Sequence, residues 1–427
     1  MVAYKTNGER RNRHRLRGSV EADPGYSAKA LETNGVNSDV GAVRAALTAA
    51  QTGLVDREAI AEAVVLCAIA REHLLVIGPP GTGKSEAVRR VAEVLGGSYF
   101  EYLIGRFTEP NELFGPIDLR RLREGVVEVE TAGMLPEADV AFLDEIFQGS
   151  TAILNTLLGL LNERVYRRGR TAMPVRLRVC VGASNALPDD PALAAFADRF
   201  LGRVFVDSVA DARLEELLEV GWAAGDGGAE TIAGLDAIDR LAAAARNVAL
   251  GPMQPTIGEG IRRMRSAGIE LSDRRAVRAQ RLVTAAAVLD GRADARPGDL
   301  WVLPLVAPGP DDQAAAQDAL GPLIEEASNA TLIHAAEAFA RGRRARAARL
   351  IATGRALLDE PAGGEDGRLR IEAALREIDA GFSTTEMPEE LALVRARLAD
   401  ALSGDDGGRP SRGDGASGDD GDRPEPA

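Results

Sequence analysis

Lys84 and Ser85 close the run Gly78-Pro79-Pro80-Gly81-Thr82-Gly83-Lys84-Ser85, which fits the phosphate-cradling pattern G-x-x-x-x-G-K-[ST]. Glycines let successive backbone N–H groups converge on a phosphate, a following helix adds its N-terminal dipole, and Lys84 brings a full charge to the terminal phosphates. Ser85 supplies a hydroxyl for magnesium. A second constellation is Val140-Ala141-Phe142-Leu143-Asp144-Glu145, an apolar run ending in two carboxylates. Side chains alternate on a strand, so Asp144 can face the metal while Glu145 faces the water that attacks the terminal phosphate. The alternative is that the two acids cap the next helix. Third, Val179-Cys180-Val181-Gly182-Ala183-Ser184-Asn185 ends in an amide that can hydrogen-bond both a γ-phosphate and the attacking water, or turn the chain before Leu187-Pro188. Together these residues predict a nucleoside triphosphate site built for hydrolysis.

Such a loop works only between a strand and a helix. Residues 73–77 (His-Leu-Leu-Val-Ile) read as a short buried strand, and Ala87, Val88, Val91 and Leu95 recur at helical spacing after Lys84. Strand-like runs at 74–77, 99–104, 140–143, 177–183 and 204–206 alternate with helical ones, which predicts an α/β fold with a parallel sheet between helices. Ligands of such sheets bind at the strands' carboxyl ends. Helical patterns also cover 40–50 and 56–70, the second with Asp56 as its expected cap. A glycine-rich stretch at 221–228 reads as linker, and helices are expected at 235–250, 256–267, 273–289 and 297–305. A further helical region spans 311–402, with a glycine-rich break near 362–367. The resulting partition is a basic tail (1–38) and a tail rich in Gly and Asp (403–427), both expected to be disordered, an α/β core (39–210), a linker (211–232), a helical lid (233–308) and a C-terminal helical domain (309–402).

Composition narrows the function. The 427 residues carry a formal charge of −14, two cysteines and three histidines. Cys67 and Cys180 lie far apart in apolar contexts and read as reduced core residues. His14, His73 and His334 have no metal-site spacing, which argues against a zinc enzyme or a Ser-His-Asp hydrolase. No apolar run is long enough to cross a membrane, and the basic N-terminal residues have no apolar stretch behind them to make a secretory signal. A cytoplasmic location is expected. The acidic balance argues against a constitutive nucleic-acid coat.

The order of phosphate loop, acidic strand and Asn-ending strand resembles the AAA+ ATPases, in which an amide such as Asn185 is called sensor 1. Ala197-Asp198-Arg199-Phe200 is similar to the segment where that class carries an arginine finger, which completes the phosphate site of a neighbouring copy. Arg203 competes for that role, and pairing of Arg199 with a carboxylate on a solvated helix is the plainer alternative. Ser272-Asp273-Arg274-Arg275 opens a helix with Ser272 or Asp273 as its cap. It resembles the sensor 2 segment of the AAA+ lid, which implies Arg274, or else Arg275, over the nucleotide. Asn111-Glu112-Leu113-Phe114-Gly115-Pro116-Ile117 followed by the alternating stretch 126–130 looks like the β insertion of the MoxR branch. Residues 152–158, 161–164, 184–188 and 272–275 are similar to the RavA type within it.

The resemblance covers about residues 40–306. It implies ATP with Mg2+, a hexameric remodelling machine, and a partner containing a von Willebrand factor A domain. One departure is that 311–402 shows no strand pattern for the β-rich module of the RavA type, and instead carries Arg341, Arg343, Arg344, Arg346 and Arg349. A second basic cluster, Arg164, Arg167, Arg168, Arg170, Arg176 and Arg178, reads as a hairpin facing a central pore. It is poor in stacking aromatics, which weakens a nucleic-acid motor as an alternative. The other alternative is an ATP-gated scaffold that scarcely turns over.

Overall fold

The computed structural model describes residues 33–404, except 169–170, 210–212, 224–230, 325–326, 341–342, 360–364 and 383–386. Both expected tails, apart from 33–38 and 403–404, lie outside the described residues. Helices α1 (Thr33–Gln51) and α2 (Glu58–Ala70) precede β1 (Leu74–Ile77), α3 (Lys84–Leu95) and β2 (Tyr99–Leu103). Two short helices, α4 (Pro110–Phe114) and α5 (Leu119–Arg123), lead to β3 (Val140–Asp144), α6 (Thr151–Glu163) and a hairpin of β4 (Val165–Arg168) and β5 (Thr171–Pro174). β6 (Val179–Ser184), α7 (Pro191–Ala197) and β7 (Gly202–Phe205) complete the α/β part. Then come α8 (Leu214–Ala223), α9 (Leu235–Arg246), α10 (Gln254–Ser266), α11 (Asp273–Leu289), α12 (Pro310–Ile324), α13 (Ile333–Ala340), α14 (Arg343–Asp359), α15 (Glu365–Gly381) and α16 (Glu389–Gly404).

Five strands pair in parallel in the order β2-β3-β6-β1-β7, so each carboxyl end points the same way. β1, β3 and β6 are apolar almost throughout because both faces are covered. Alternation divides their side chains: Leu74 and Val76 face a core with α1–α3 and the helices of 233–340, whereas Leu75 and Ile77 face a second core with α4, α6 and α7. A third, small core joins α14, α15 and α16. The helices of 233–308 thus share one core with α1–α3.

Several expectations need correction. α1 starts at Thr33, seven residues before the helix expected at 40. Asp56 does not cap α2; its φ is +57° and the cap position falls to Arg57, without a side-chain bond. The 297–305 stretch forms two 3₁₀ turns, Pro297–Val302 and Pro304–Val306, because Pro297 and Pro304 each start a new turn. The stretch at 126–130 makes a single antiparallel bridge, Ile117 to Val129, and no ladder. The linker region contains α8, whose Leu218 and Trp222 are exposed.

Candidate nucleotide site

β1 delivers the chain into the phosphate loop at the carboxyl end of the sheet. Gly78 donates its N–H to the Ser184 carbonyl (3.1 Å), and a Cβ at Gly78 would stand 2.2 Å from the Val206 carbonyl oxygen. Only glycine lets the loop leave between β6 and β7. Gly81 and Gly83 have φ of +75° and +72°, and Gly83 is the cap residue of α3, so the loop's N–H groups and the start of that helix lie together. Lys84 folds back to donate to the Gly78 and Pro79 carbonyls (2.8 and 2.7 Å). Burial lowers its pKa, Asp144 and Glu145 oppose that shift, and Arg57 adds to it. The cradle and charge fit a polyphosphate.

Asp144 ends β3, and its Oδ1 accepts from the N–H of Glu145 (2.9 Å). Glu145 sits at φ +48°, a conformation sparsely used by residues other than glycine, and this turn brings its carboxylate to Asn185. Asn185 Nδ2 donates to Glu145 Oε1 at 2.5 Å. Strand order explains the convergence: β3 and β6 are neighbours, so the residues just past their ends meet. Among the described residues no cluster of three or more His, Cys, Asp or Glu could hold a metal. Ser85 and Asp144 are hard oxygen donors of the kind that suit magnesium carried by phosphates, which keeps most of its ligands as water and phosphate oxygen.

One residue of this end carried no sequence signal. Arg57 is buried, and its guanidinium donates to the carbonyls of Thr82, Asp207 and Asp56, tying the phosphate loop to the segment after β7. Burial lowers its pKa. A lone arginine upstream of the loop fits no spacing rule.

The arginines lie at the other end of the sheet. Leu74 pairs with Gly202, so Arg199, three residues before Gly202, stands at the amino end of the strands. A four-residue strand spans ~13 Å, which keeps Arg199 away from its own phosphate loop. Buried Phe196 and Phe200 anchor the turn on either side of Arg199, their rings 5.8 Å apart. Arg199 Nε is buried without a hydrogen-bond partner. Arg203 is buried and tethered to the Pro308 carbonyl, and burial pushes its pKa down to about 10.

Ser272 caps α11 by accepting from the Arg275 N–H (3.3 Å). Arg275 is 2% exposed and donates to the carbonyls of Val306 (2.9 Å), Phe200 (3.0 Å) and Leu201 (2.7 Å), with Asp198 at 3.4 Å. It therefore fastens α11 to the Arg199 turn. Arg274, its exposed neighbour, makes no hydrogen bond or ion pair among the described residues. Further along α11, Arg278 and Arg281 pair with buried Glu72, directly before β1. The helix start thus lies with the amino ends of the strands, so Arg274 does not cover its own phosphate loop as expected.

The second basic cluster also separates. Arg164 donates to the Leu177 and Arg71 carbonyls, and Arg178 pairs with Asp139 and Asp239, so both are internal ties. Arg167, on the hairpin, pairs with Glu163 at the end of α6. Arg170, Arg341 and the side chains of Arg343, Arg344, Arg346 and Arg349 lie outside the described residues. His73 accepts from the Cys180 N–H and donates to the Leu161 carbonyl, both at 3.0 Å, which makes it a core histidine. The cysteines are free and buried, and burial pushes the Cys180 thiol up to about 12.

A parallel sheet in the order β2-β3-β6-β1-β7, with the phosphate loop after β1, two acids ending β3 and an amide after β6, defines the AAA+ class of P-loop proteins. Residues 41–243 match the family described as the MoxR domain in the MoxR-vWA-beta-propeller ternary systems. That stretch of the chain is similar to MoxR domains. Two uncharacterised proteins of Methanocaldococcus jannaschii are 35% and 34% identical to it, each over 55% of this chain. The matches span 63% and 62% of those relatives' own length. The chaperone MoxR1 of Mycobacterium tuberculosis is 25% identical over 44% of this chain and 50% of its own. A solved structure of an inferred ATPase from Cytophaga hutchinsonii shares the fold, with a TM-score of 0.57 at 14% identity over 70% of this chain and 98% of that one. No helix among the described residues is long and apolar enough to cross a membrane.

Proposed function

We propose that this chain hydrolyses ATP at the carboxyl end of its sheet, in a head-to-tail ring of copies, and uses the cycle to remodel a protein partner. The observation that carries this reading is the division of the machinery: Lys84, Glu145 and Asn185 gather at one end of the sheet, and Arg199 at the other. Glu145 accepts a proton from the attacking water as its oxygen bonds to the γ-phosphorus, and the bond to the β–γ bridging oxygen breaks with its electron pair leaving on ADP. Asn185 holds the Glu145 carboxylate in place. Lys84 offsets charge on the terminal phosphates, and Arg199 of a second copy supplies the remaining cation. Magnesium, held by Ser85 and Asp144 together with the phosphates, would neutralise charge on the β and γ oxygens. Arg274 belongs with Arg199 on the donating edge and would also act on the neighbour's nucleotide.

The ring is a hexamer in this reading, and the partner is a von Willebrand factor A protein, as the description of the matched family suggests. Two measurements test the proposal. Turnover per chain should rise steeply with protein concentration, and Arg199→Ala should lower it by ~10³-fold or more at saturating nucleotide. Equal turnover by dilute and concentrated protein would remove the second copy from the mechanism. For the partner, a co-purified von Willebrand factor A protein should be released or retained according to whether ATP or ADP is bound.

A further inference from the structure

We infer that Arg57 is a positioning residue for the phosphates: it holds the loop from behind so that the Gly83 N–H faces the ligand, and it fixes a positive charge beside the cradle. This rests on the nucleotide reading above and adds a residue that no motif contains. Arg57 stands at the cap position of α2, a helix buried along most of its length, and is itself 5% exposed. Its stem passes Gly83, where a Cβ would lie 4.0 Å from the Arg57 Cγ. The guanidinium Nε donates to the Thr82 carbonyl inside the loop, Nη1 to the Asp56 carbonyl (2.7 Å) and Nη2 to the Asp207 carbonyl after β7 (2.7 Å).

The bond to Thr82 bears on the cradle through one peptide group. In a trans peptide the C=O and the following N–H point opposite ways, so a donor that fixes the Thr82 oxygen on the α2 side turns the Gly83 N–H to the other side. Among the described residues, the N–H groups of Gly81, Thr82 and Gly83 donate to no main-chain carbonyl, and Gly83 leads directly into α3. They are free for an anion. A donor on the carbonyl also polarises the peptide, which strengthens the N–H opposite it. The charge of Arg57 is a second contribution. Burial works against that charge, and Asp56, Glu58 and Asp207 support it. Yet no carboxylate pairs with it among the described residues, and the Asp56 side chain is taken by Arg213. Burial lowers the Lys84 pKa and Arg57 lowers it further, so the two cations stand close enough to act on each other. A buried cation that bonds only carbonyls, beside a second cation, is matched by a ligand with several negative charges.

Coulomb attraction grows with ligand charge, so the test compares nucleotides of different phosphate number. Fluorescent analogues of AMP, ADP and ATP are titrated into full-length parent, Arg57→Gln and Arg57→Lys protein at fixed ionic strength, with EDTA to keep the phosphates free of metal. Arg57→Gln should weaken the ATP analogue by ~30-fold or more and the ADP analogue by ~10-fold, and change the AMP analogue by less than about threefold. Arg57→Lys keeps the charge but reaches fewer carbonyls, and should lose less than about tenfold on the ATP analogue. With magnesium present, Arg57→Gln should raise the KM for ATP while kcat stays within about threefold, because Glu145 and Asn185 follow other strands. A loss equal for all three nucleotides makes Arg57 a structural strut only and overturns the inference. No loss, a lysine variant as weak as the glutamine one, or a fall in kcat as large as the rise in KM overturns it as well. If the glutamine variant does not fold, the lysine variant decides: its loss must fall on the ADP and ATP analogues and spare the AMP analogue. A parent that binds the ATP analogue no more tightly than the AMP analogue would instead remove the phosphate reading on which the inference rests.

Discussion

Replacing Arg275 by methionine should destabilise the protein by about 3–5 kcal/mol, whereas Arg274→Ala should change stability by less than ~0.5 kcal/mol and lower turnover by ~10-fold or more. The Arg275 guanidinium satisfies three main-chain carbonyls within 3.0 Å and lies 3.4 Å from Asp198. Methionine refills the stem and returns no donor. Each buried carbonyl left unmade costs ~1–3 kcal/mol, and relaxation of the turn keeps the total below their sum. Burial lowers the Arg275 pKa and Asp198 opposes that shift, so the charge is held by its partners and not by water. Arg274 lacks such ties. The assay is urea unfolding followed by fluorescence of Trp301, which is buried in the same core as α11, alongside ATP turnover of each variant. An Arg275→Met protein as stable as the parent, or an Arg274→Ala protein equally destabilised, would refute the assignment of one as strut and the other as free cation.

Glu145→Gln should bind ATP as tightly as the parent and lose ~10²- to 10⁴-fold in turnover, because the amide keeps an acceptor for Asn185 and cannot take a proton; a normal rate in a steady-state phosphate-release assay would reject Glu145 as the base. Gly78→Ala should abolish binding of a fluorescent ATP analogue and cost about 1–3 kcal/mol, since its Cβ would meet the Val206 oxygen at 2.2 Å and drive β7 from β1. Burial holds the His73 pKa well below its ordinary value. In the window between that lowered value and ~6.5 the unfolded chain binds a proton that the folded chain excludes, so stability rises with pH there. Acidification from pH 7 to pH 5 should cost up to about 2 kcal/mol from this group, and His73→Leu, though less stable outright, should lack that part of the slope when unfolding is measured across the range.

The phosphate loop, the acidic strand and the Asn-ending strand could be read from sequence because each joins a local period to a fixed chemical ending. β1 and α11 run between the residues their patterns predicted. Arg274, Arg275 and Arg203 could not be sorted that way. Whether an arginine is a strut or a free cation depends on carbonyls far along the chain, such as Val306 for Arg275 and Pro308 for Arg203. The same holds for Arg164 and Arg178, two members of a run of charge that become internal ties through Leu177, Arg71, Asp139 and Asp239. Asp56 failed as a cap for a local reason: its positive φ turns the chain so that Arg57 reaches the phosphate loop.

Sheet polarity keeps the proposed catalytic groups of one copy apart. All five strands are parallel, so any residue just past a strand gathers at one end, and any residue just before a strand gathers at the other. The loop, the acids and the amide follow β1, β3 and β6. Arg199 precedes β7, and Arg274 is fixed beside it by the Arg275 strut. No rotamer of either side chain exchanges these ends, because the strands between them are rigid and buried on both faces. In the proposed mechanism, the cation that joins Lys84 at the phosphate therefore comes from a second copy whose amino-end edge meets this chain's carboxyl end. Under that proposal, repeating the contact would leave a site free at one end of the array and an arginine free at the other until the last copy meets the first.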